Sequence, residues 1–144
     1  MELSKAVLMI DDDKDDQEFL MAALQGIPNV GSVRITGNGR EALDLLNSKL
    51  FLPDIIFSDL NMPVMNGIEW LVEKAKCPNT KNIPVVILSS SVEMREIAFA
   101  LGAKSFIKKN SDLKMLTLEI AQMLNRDFAE EDVRRTHCTG ECMC

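Results

Sequence analysis

The chain has 144 residues, a net charge of −6 and a pI near 4.8, a length from which one domain with its own core, and no room for a second, is expected. The acidic balance and the lack of a long basic run disfavour direct nucleic-acid binding. No apolar stretch approaches membrane-spanning length, and MELSKAVLMIDDD meets charge too early for a secretory signal, so a cytoplasmic protein without membrane insertion is expected.

Strand and helix signals alternate along the chain. AVLMI is a continuous apolar run suited to a strand buried on both faces. After three aspartates, Phe19, Leu20, Ala23, Leu24 and Ile27 recur at helical spacing, with Gly26 and Pro28 near the stop. VGSVRIT predicts a second strand, GREALDLLNSKL a second helix and DIIFS, after Pro53, a third strand. The loop LNMPVMNG leads to a helix through Ile68, Leu71, Val72 and Ala75 that ends before Pro78. VVIL is the fourth strand, VEMREIAFAL the fourth helix closed by Gly102, and SFIK a short fifth strand. A last helix places Leu113, Leu116, Ile120 and Leu124 on one face, with Ser111 as its N-cap. Five such βα units favour an α/β fold, a doubly wound parallel sheet with helices on both faces.

Four apolar runs end in polar residues: AVLMI in Asp11, Asp12 and Asp13, DIIFS in Asp59, VVIL in Ser89, Ser90 and Ser91, and SFI in Lys108 and Lys109. In an open parallel sheet these ends line one crevice, where ligands bind. Two carboxylates about 5 Å apart repel by roughly 3 kcal/mol at an effective dielectric near 20, so such a group calls for a cation. Mg²⁺ suits it, because that ion takes hard oxygen ligands and keeps positions for water and phosphate.

In order and spacing, MIDDDK, FSDLNMPVMNG, IPVVILSSS and GAKSFIKK resemble the receiver domain of two-component response regulators, over roughly residues 5 to 124. The resemblance implies a flavodoxin-like fold of strand order 2-1-3-4-5, with residues 1–126 as the receiver and 127–144 as a tail, partly helical and then disordered. It implies a phosphoprotein rather than a dedicated enzyme. Asp59 would accept a phosphoryl group from a sensor histidine kinase or a histidine phosphotransfer protein. Asp12, Asp59 and the Asn61 carbonyl would hold Mg²⁺, with Asp11 acting mostly through water. Ser89 would hydrogen-bond the phosphoryl oxygens, and Lys109, with Lys108 as the alternate, would neutralise them. Phe106 falls at the aromatic switch position. A face made by the fourth helix, fifth strand and fifth helix would then act on a downstream protein target, a homodimer through that face being one arrangement.

Simpler roles stand beside these. Asp59 suits a turn after a strand, Asp13, Asp15 and Asp16 suit the positive end of the first helix, the three serines suit a loop, and Phe106 suits the core. Trp70 and Met62, Met65, Met94 and Met115 are expected to fill space in core or face. Asn110 stands where the family usually has a proline, which leaves that loop without its usual cis X-Pro restraint. His137, Cys138, Cys142 and Cys144 lack the paired Cys-x2-Cys spacing of zinc knuckles, and with Cys77 they form no disulfide framework. Asp11-x-Asp13 after the first strand also resembles haloacid-dehalogenase-like phosphohydrolases, with Asp11 as nucleophile and Asp13 as acid. A degenerate receiver that binds partners without phosphorylation is the remaining alternative.

Overall fold

A computed structural model describes residues 4–109 and 112–126. Asn110, Ser111 and the Cys-rich tail lie outside the described residues, and with them the expectations for the Asn110 loop and the tail.

Strand and helix alternate throughout: β1 (Lys5–Ile10), α1 (Lys14–Gln25), β2 (Val30–Thr36), α2 (Gly39–Ser48), β3 (Ile55–Ser58), α3 (Gly67–Lys76), β4 (Val85–Ser89), α4 (Arg95–Ala100), β5 (Ser105–Lys108) and α5 (Leu113–Leu124). The strands form one parallel sheet in the order β2-β1-β3-β4-β5. Residues of β3 and β4 are buried throughout, as are Val7 to Ile10 of β1, which is why these runs are continuously apolar rather than alternating. The edge strand β2 carries four exposed positions.

Because successive strand side chains point to opposite faces, the sheet separates two cores. Val7, Met9, Ile55, Phe57, Val86, Leu88 and Ile107 pack with Leu20, Ala23 and Leu24 of α1 and Leu116, Ile120 and Leu124 of α5. Leu8, Ile10, Ile56, Val85 and Ile87 pack with Ala42, Leu43 and Leu46 of α2, Trp70 and Leu71 of α3 and Ala98 of α4. Trp70 is fully buried, consistent with a packing role. Met62 is buried and Met65 half-buried, whereas Met94 and Met115 are exposed.

Helix starts are set by side-chain acceptors for the otherwise unpaired N–H groups of the first turn. Asp13 caps α1 by accepting from Asp15 N and Asp16 N at 2.8 and 3.1 Å. Asn66 and Glu69 form a reciprocal capping box on α3. At α5 the cap is Asp112, which accepts from Lys114 N at 2.9 Å, in place of the expected Ser111. Two further expectations are corrected. Helix α4 covers only Arg95–Ala100 of VEMREIAFAL, and its N-cap, Met94, makes no side-chain capping hydrogen bond. Leu113 is 42% exposed, so the buried stripe of α5 begins at Leu116. No helix among the described residues is long and apolar enough to cross a membrane.

Candidate functional site

The carboxyl ends of β1, β3, β4 and β5 lie side by side, and the ladder extends one residue past three of them. Asp59 N donates to Ile10 O at 2.9 Å, Lys109 N to Ser89 O at 2.7 Å, and Asp11 N to Thr36 O at 3.0 Å. Backbone hydrogen bonds therefore fix where these three candidate side chains begin.

Alternation then decides where they project. Asp11 continues the parity of Val7 and Met9, Asp59 that of Ile55 and Phe57, and Lys109 that of Ile107, all on the face shared with α1 and α5. Lys108 has the opposite parity and is exposed. The Lys109 ammonium consequently reaches into the crevice. Its Nζ is 3.3 Å from Asp11 Oδ2, 3.3 Å from Asp59 Oδ2 and 2.7 Å from Asp16 Oδ2.

Asp11 and Asp59 are buried, with relative exposures of 5% and 8%. Asp59 Oδ1 accepts from Leu60 N at 2.7 Å and faces Asn61 N at 3.5 Å, which leaves Oδ2 directed at Lys109. Asp11 Oδ1 accepts from Asp13 N at 3.0 Å. Ser89 is buried, and its hydroxyl oxygen accepts from Ser91 N at 3.3 Å, so its own proton remains available for donation. Ser90, Ser91, Asn61 and Asp12 are exposed. Phe106 is half-buried against the α2–α3–α4 core.

Asp11, Asp16 and Asp59 each offer an oxygen within 4.8 Å of the others, the one such group of three potential metal-ligating side chains among the described residues. Asp16 is the neighbour in this group whose sequence position suggests helix capping alone. An acidic residue in the first helical turn carries no signal that separates dipole compensation from a place in the crevice. Asp12, expected beside Asp11, lies outside this group of three. Below the site, between α1 and α5, a cleft of about 480 Å³ is walled by Phe19, Leu20, Leu88 and Leu116 and rimmed by Asp16, Ser90 and Lys109.

The electrostatics follow from one ammonium among three carboxylates. Burial opposes the charge on Lys109, but the Asp16 hydrogen bond and the charges of Asp59, Asp11 and Asp16 outweigh it and push its pKa up. Burial pushes the Asp11 carboxyl up, the Asp13 N–H and Lys109 pull it down without cancelling that, and the Asp59 charge raises it further. An all-oxygen donor set with excess negative charge fits a hard divalent cation.

The rise at Asp11 has a consequence for stability. A carboxyl whose folded pKa lies above its unfolded value costs stability at every pH above the folded pKa, and the cost vanishes below the unfolded value near 3.8. Asp11→Asn keeps an acceptor for Asp13 N and removes the charge. It is expected to raise the metal-free melting temperature at pH 7 by a few degrees, within the range of about 0.5–2 kcal/mol for single stabilising changes. The gain should shrink as the pH falls toward 4. Thermal denaturation in chelator across that range checks it, and a loss of stability at pH 7 would contradict the assignment.

Comparison with known proteins agrees with this geometry. The sequence matches the response regulator receiver domain over residues 7–121. A protein-glutamate methylesterase/protein-glutamine glutaminase of Treponema pallidum is 34% identical over 108 residues, which is 72% of this chain and 26% of that protein; the chain thus spans about a quarter of the length of such curated relatives. The phosphorylated cyanobacterial phytochrome response regulator RcpA has a similar structure, with a TM-score of 0.74 and 29% identity, covering 83% of this chain and 91% of that one. The Mn²⁺-bound form of response regulator Rcp1 matches with a TM-score of 0.72 and 26% identity over the same shares. With its 2-1-3-4-5 sheet and a match spanning most of its length, this chain belongs to the response regulator receiver domain family.

Proposed function

We propose that the protein is a cytoplasmic response regulator, residues 1–126 forming the receiver, in which Asp59 accepts a phosphoryl group from a histidine kinase or a histidine phosphotransfer protein. The observation that carries this is the convergence of Asp59, Asp11 and Lys109, with one ammonium 3.3 Å from both carboxylates. RcpA and Rcp1, with similar structures, are described as phosphorylated and as Mn²⁺-bound.

The chemistry asks little of the protein beyond position and charge. Asp59 Oδ2, the oxygen not engaged by Leu60 N, attacks phosphorus. The donor's P–N bond in a phosphohistidine, or P–O bond in a small acyl phosphate, breaks as the new P–O bond forms, and the leaving group keeps the electron pair. Imidazole then takes up a proton from solvent. Lys109 neutralises the transferring oxygens and Ser89 donates its hydroxyl proton to one of them. Asp12, Asp59 and the Asn61 carbonyl would hold Mg²⁺, with Asp11 through water; when bound, the ion supplies further neutralisation of phosphoryl charge.

The added phosphoryl group carries about −1.5 to −2 charge. Drawing Ser89 toward it shifts the Ser90–Glu93 loop and gives Phe106 room to turn in, which remodels the α4–β5–α5 face for a downstream protein or a second receiver. That face already exposes Ile97, Met115 and Leu118. In a phosphohydrolase with Asp11 as nucleophile, Asp13 would be the acid, but its carboxylate is engaged in capping α1.

Incubation with acetyl phosphate and Mg²⁺, followed by intact-mass measurement, is expected to show one added phosphoryl group, lost when the ion is chelated beforehand. No added mass, where a control receiver is labelled, would leave a binding module that works without phosphorylation.

A further inference from the structure

The Lys109 ammonium is shared unequally. It makes hydrogen bonds to Asp16 at 2.7 Å and to Asp11 at 3.3 Å, while Asp59 at 3.3 Å is an ion-pair contact only. Asp16 is also unlike the other two carboxylates in its surroundings. Its side chain is 41% exposed, against 8% and 9% for Asp11 and Asp59. Its backbone is set by the Asp13 cap, since Asp16 N donates to Asp13 Oδ1, so the carboxylate stands at a fixed place on the first turn of α1. The contact thus ties α1 to the residue that leads from β5 toward α5.

We propose that Asp16 is a positioning residue: it anchors Lys109 to α1 in the resting protein, and engagement of a phosphoryl group on Asp59 requires the ammonium to exchange this contact for phosphoryl oxygens. The inference rests on Asp59 being the phosphoacceptor. Lys109 lies on the Asp16 side of the crevice by the shorter contact, and Asp59 bearing phosphoryl oxygens offers it a competing set of acceptors. Asp16 can give it up cheaply, because a carboxylate nearly half in water regains its hydration when the ammonium leaves. Asp16 therefore acts as a bias against the phosphorylated arrangement, and not as a lock.

Beryllium fluoride with Mg²⁺, a mimic of the aspartyl phosphoryl group, provides the test. Asp16→Asn should bind it about two- to five-fold more tightly than wild type, the scale of a partly exposed ion pair. Asp16→Glu should restore most of the wild-type affinity. In a Lys109→Gln background Asp16→Asn should have no such effect, which separates a role through Lys109 from a general change in charge at the crevice. Independently of any phosphoryl group, the ammonium proton resonance of Lys109, assigned by its absence in Lys109→Gln, should exchange faster with water in Asp16→Asn and recover in Asp16→Glu. Unchanged or weaker mimic binding in Asp16→Asn, an equal effect in both backgrounds, or an unaltered ammonium signal would overturn the proposal. Failure of the phosphoacceptor assignment shows differently, as absent mimic binding by wild type whatever stands at position 16, and it removes the exchange step as well.

Discussion

Asp59→Asn is expected to abolish acyl-phosphate formation, lowering the labelling rate by at least about 10²-fold, because an amide oxygen does not replace a carboxylate as nucleophile. The substitution is close to isosteric, and an asparagine Oδ1 still accepts the 2.7 Å hydrogen bond from Leu60 N. The fold should survive, so that loss of label reports chemistry and not unfolding. Asp11→Asn serves as the counterpart. If Asp59 is the nucleophile, Asp11→Asn still forms some acyl phosphate, more slowly, since the charge that helps hold Mg²⁺ is gone. Retained labelling in Asp59→Asn together with lost labelling in Asp11→Asn would instead make Asp11 the nucleophile, as the phosphohydrolase alternative requires. Mass spectrometry of both variants after identical exposure to acetyl phosphate distinguishes these outcomes.

Much of this site is legible in the sequence because a parallel sheet translates strand ends into spatial neighbours. AVLMI and DIIFS end in Asp11 and Asp59, and SFI runs into Lys108 and Lys109, of which Lys109 reaches both carboxylates; the structure places those strand ends in one sheet. Even the choice between Lys108 and Lys109 follows from period-two alternation, since Ile107 faces the same core as Val7 and Phe57. Asp16 is not legible in this way, for a different reason. Its reach to Lys109 depends on how α1 docks against the sheet, a tertiary relation that neither helical period nor capping preference contains. The same gap explains α4 and Leu113. VEMREIAFAL has helical apolar spacing, but Val92 and Met94 are exposed, so no packing rewards the first part of the run. Leu113 begins α5 one turn before the helix meets the sheet.

Gly67→Ala is expected to cost about 2–3 kcal/mol through overpacking, and to lower the melting temperature by roughly 10 °C. A Cβ at this position would lie 2.5 Å from Asp59 O, 2.7 Å from Leu60 Cα and 2.8 Å from Leu60 Cδ2. Two of these atoms are backbone, so relief requires moving the segment that carries Asp59 or tilting the start of α3. That approach is held from the other side by Gly67 N, which donates to Leu60 O at 2.9 Å. Val64, in the same loop, already sits at φ 65, a conformation unfavourable for a β-branched residue, which leaves the loop little freedom to absorb further displacement. The stability loss should therefore come with slower phosphoryl uptake, because a shift of about 1 Å at a reacting group can cost on the order of 10²-fold in rate. Gly102→Ala isolates this effect. Gly102 has φ +109, and a methyl group added there would meet nothing within 4 Å, so its substitution strains the backbone without crowding the segment that carries Asp59. It should lower the melting temperature while leaving the labelling rate of the folded protein unchanged. Equal labelling by both variants at a temperature where both are folded would show that the contact between α3 and the Asp59 segment supports the fold alone and does not hold the nucleophile in register.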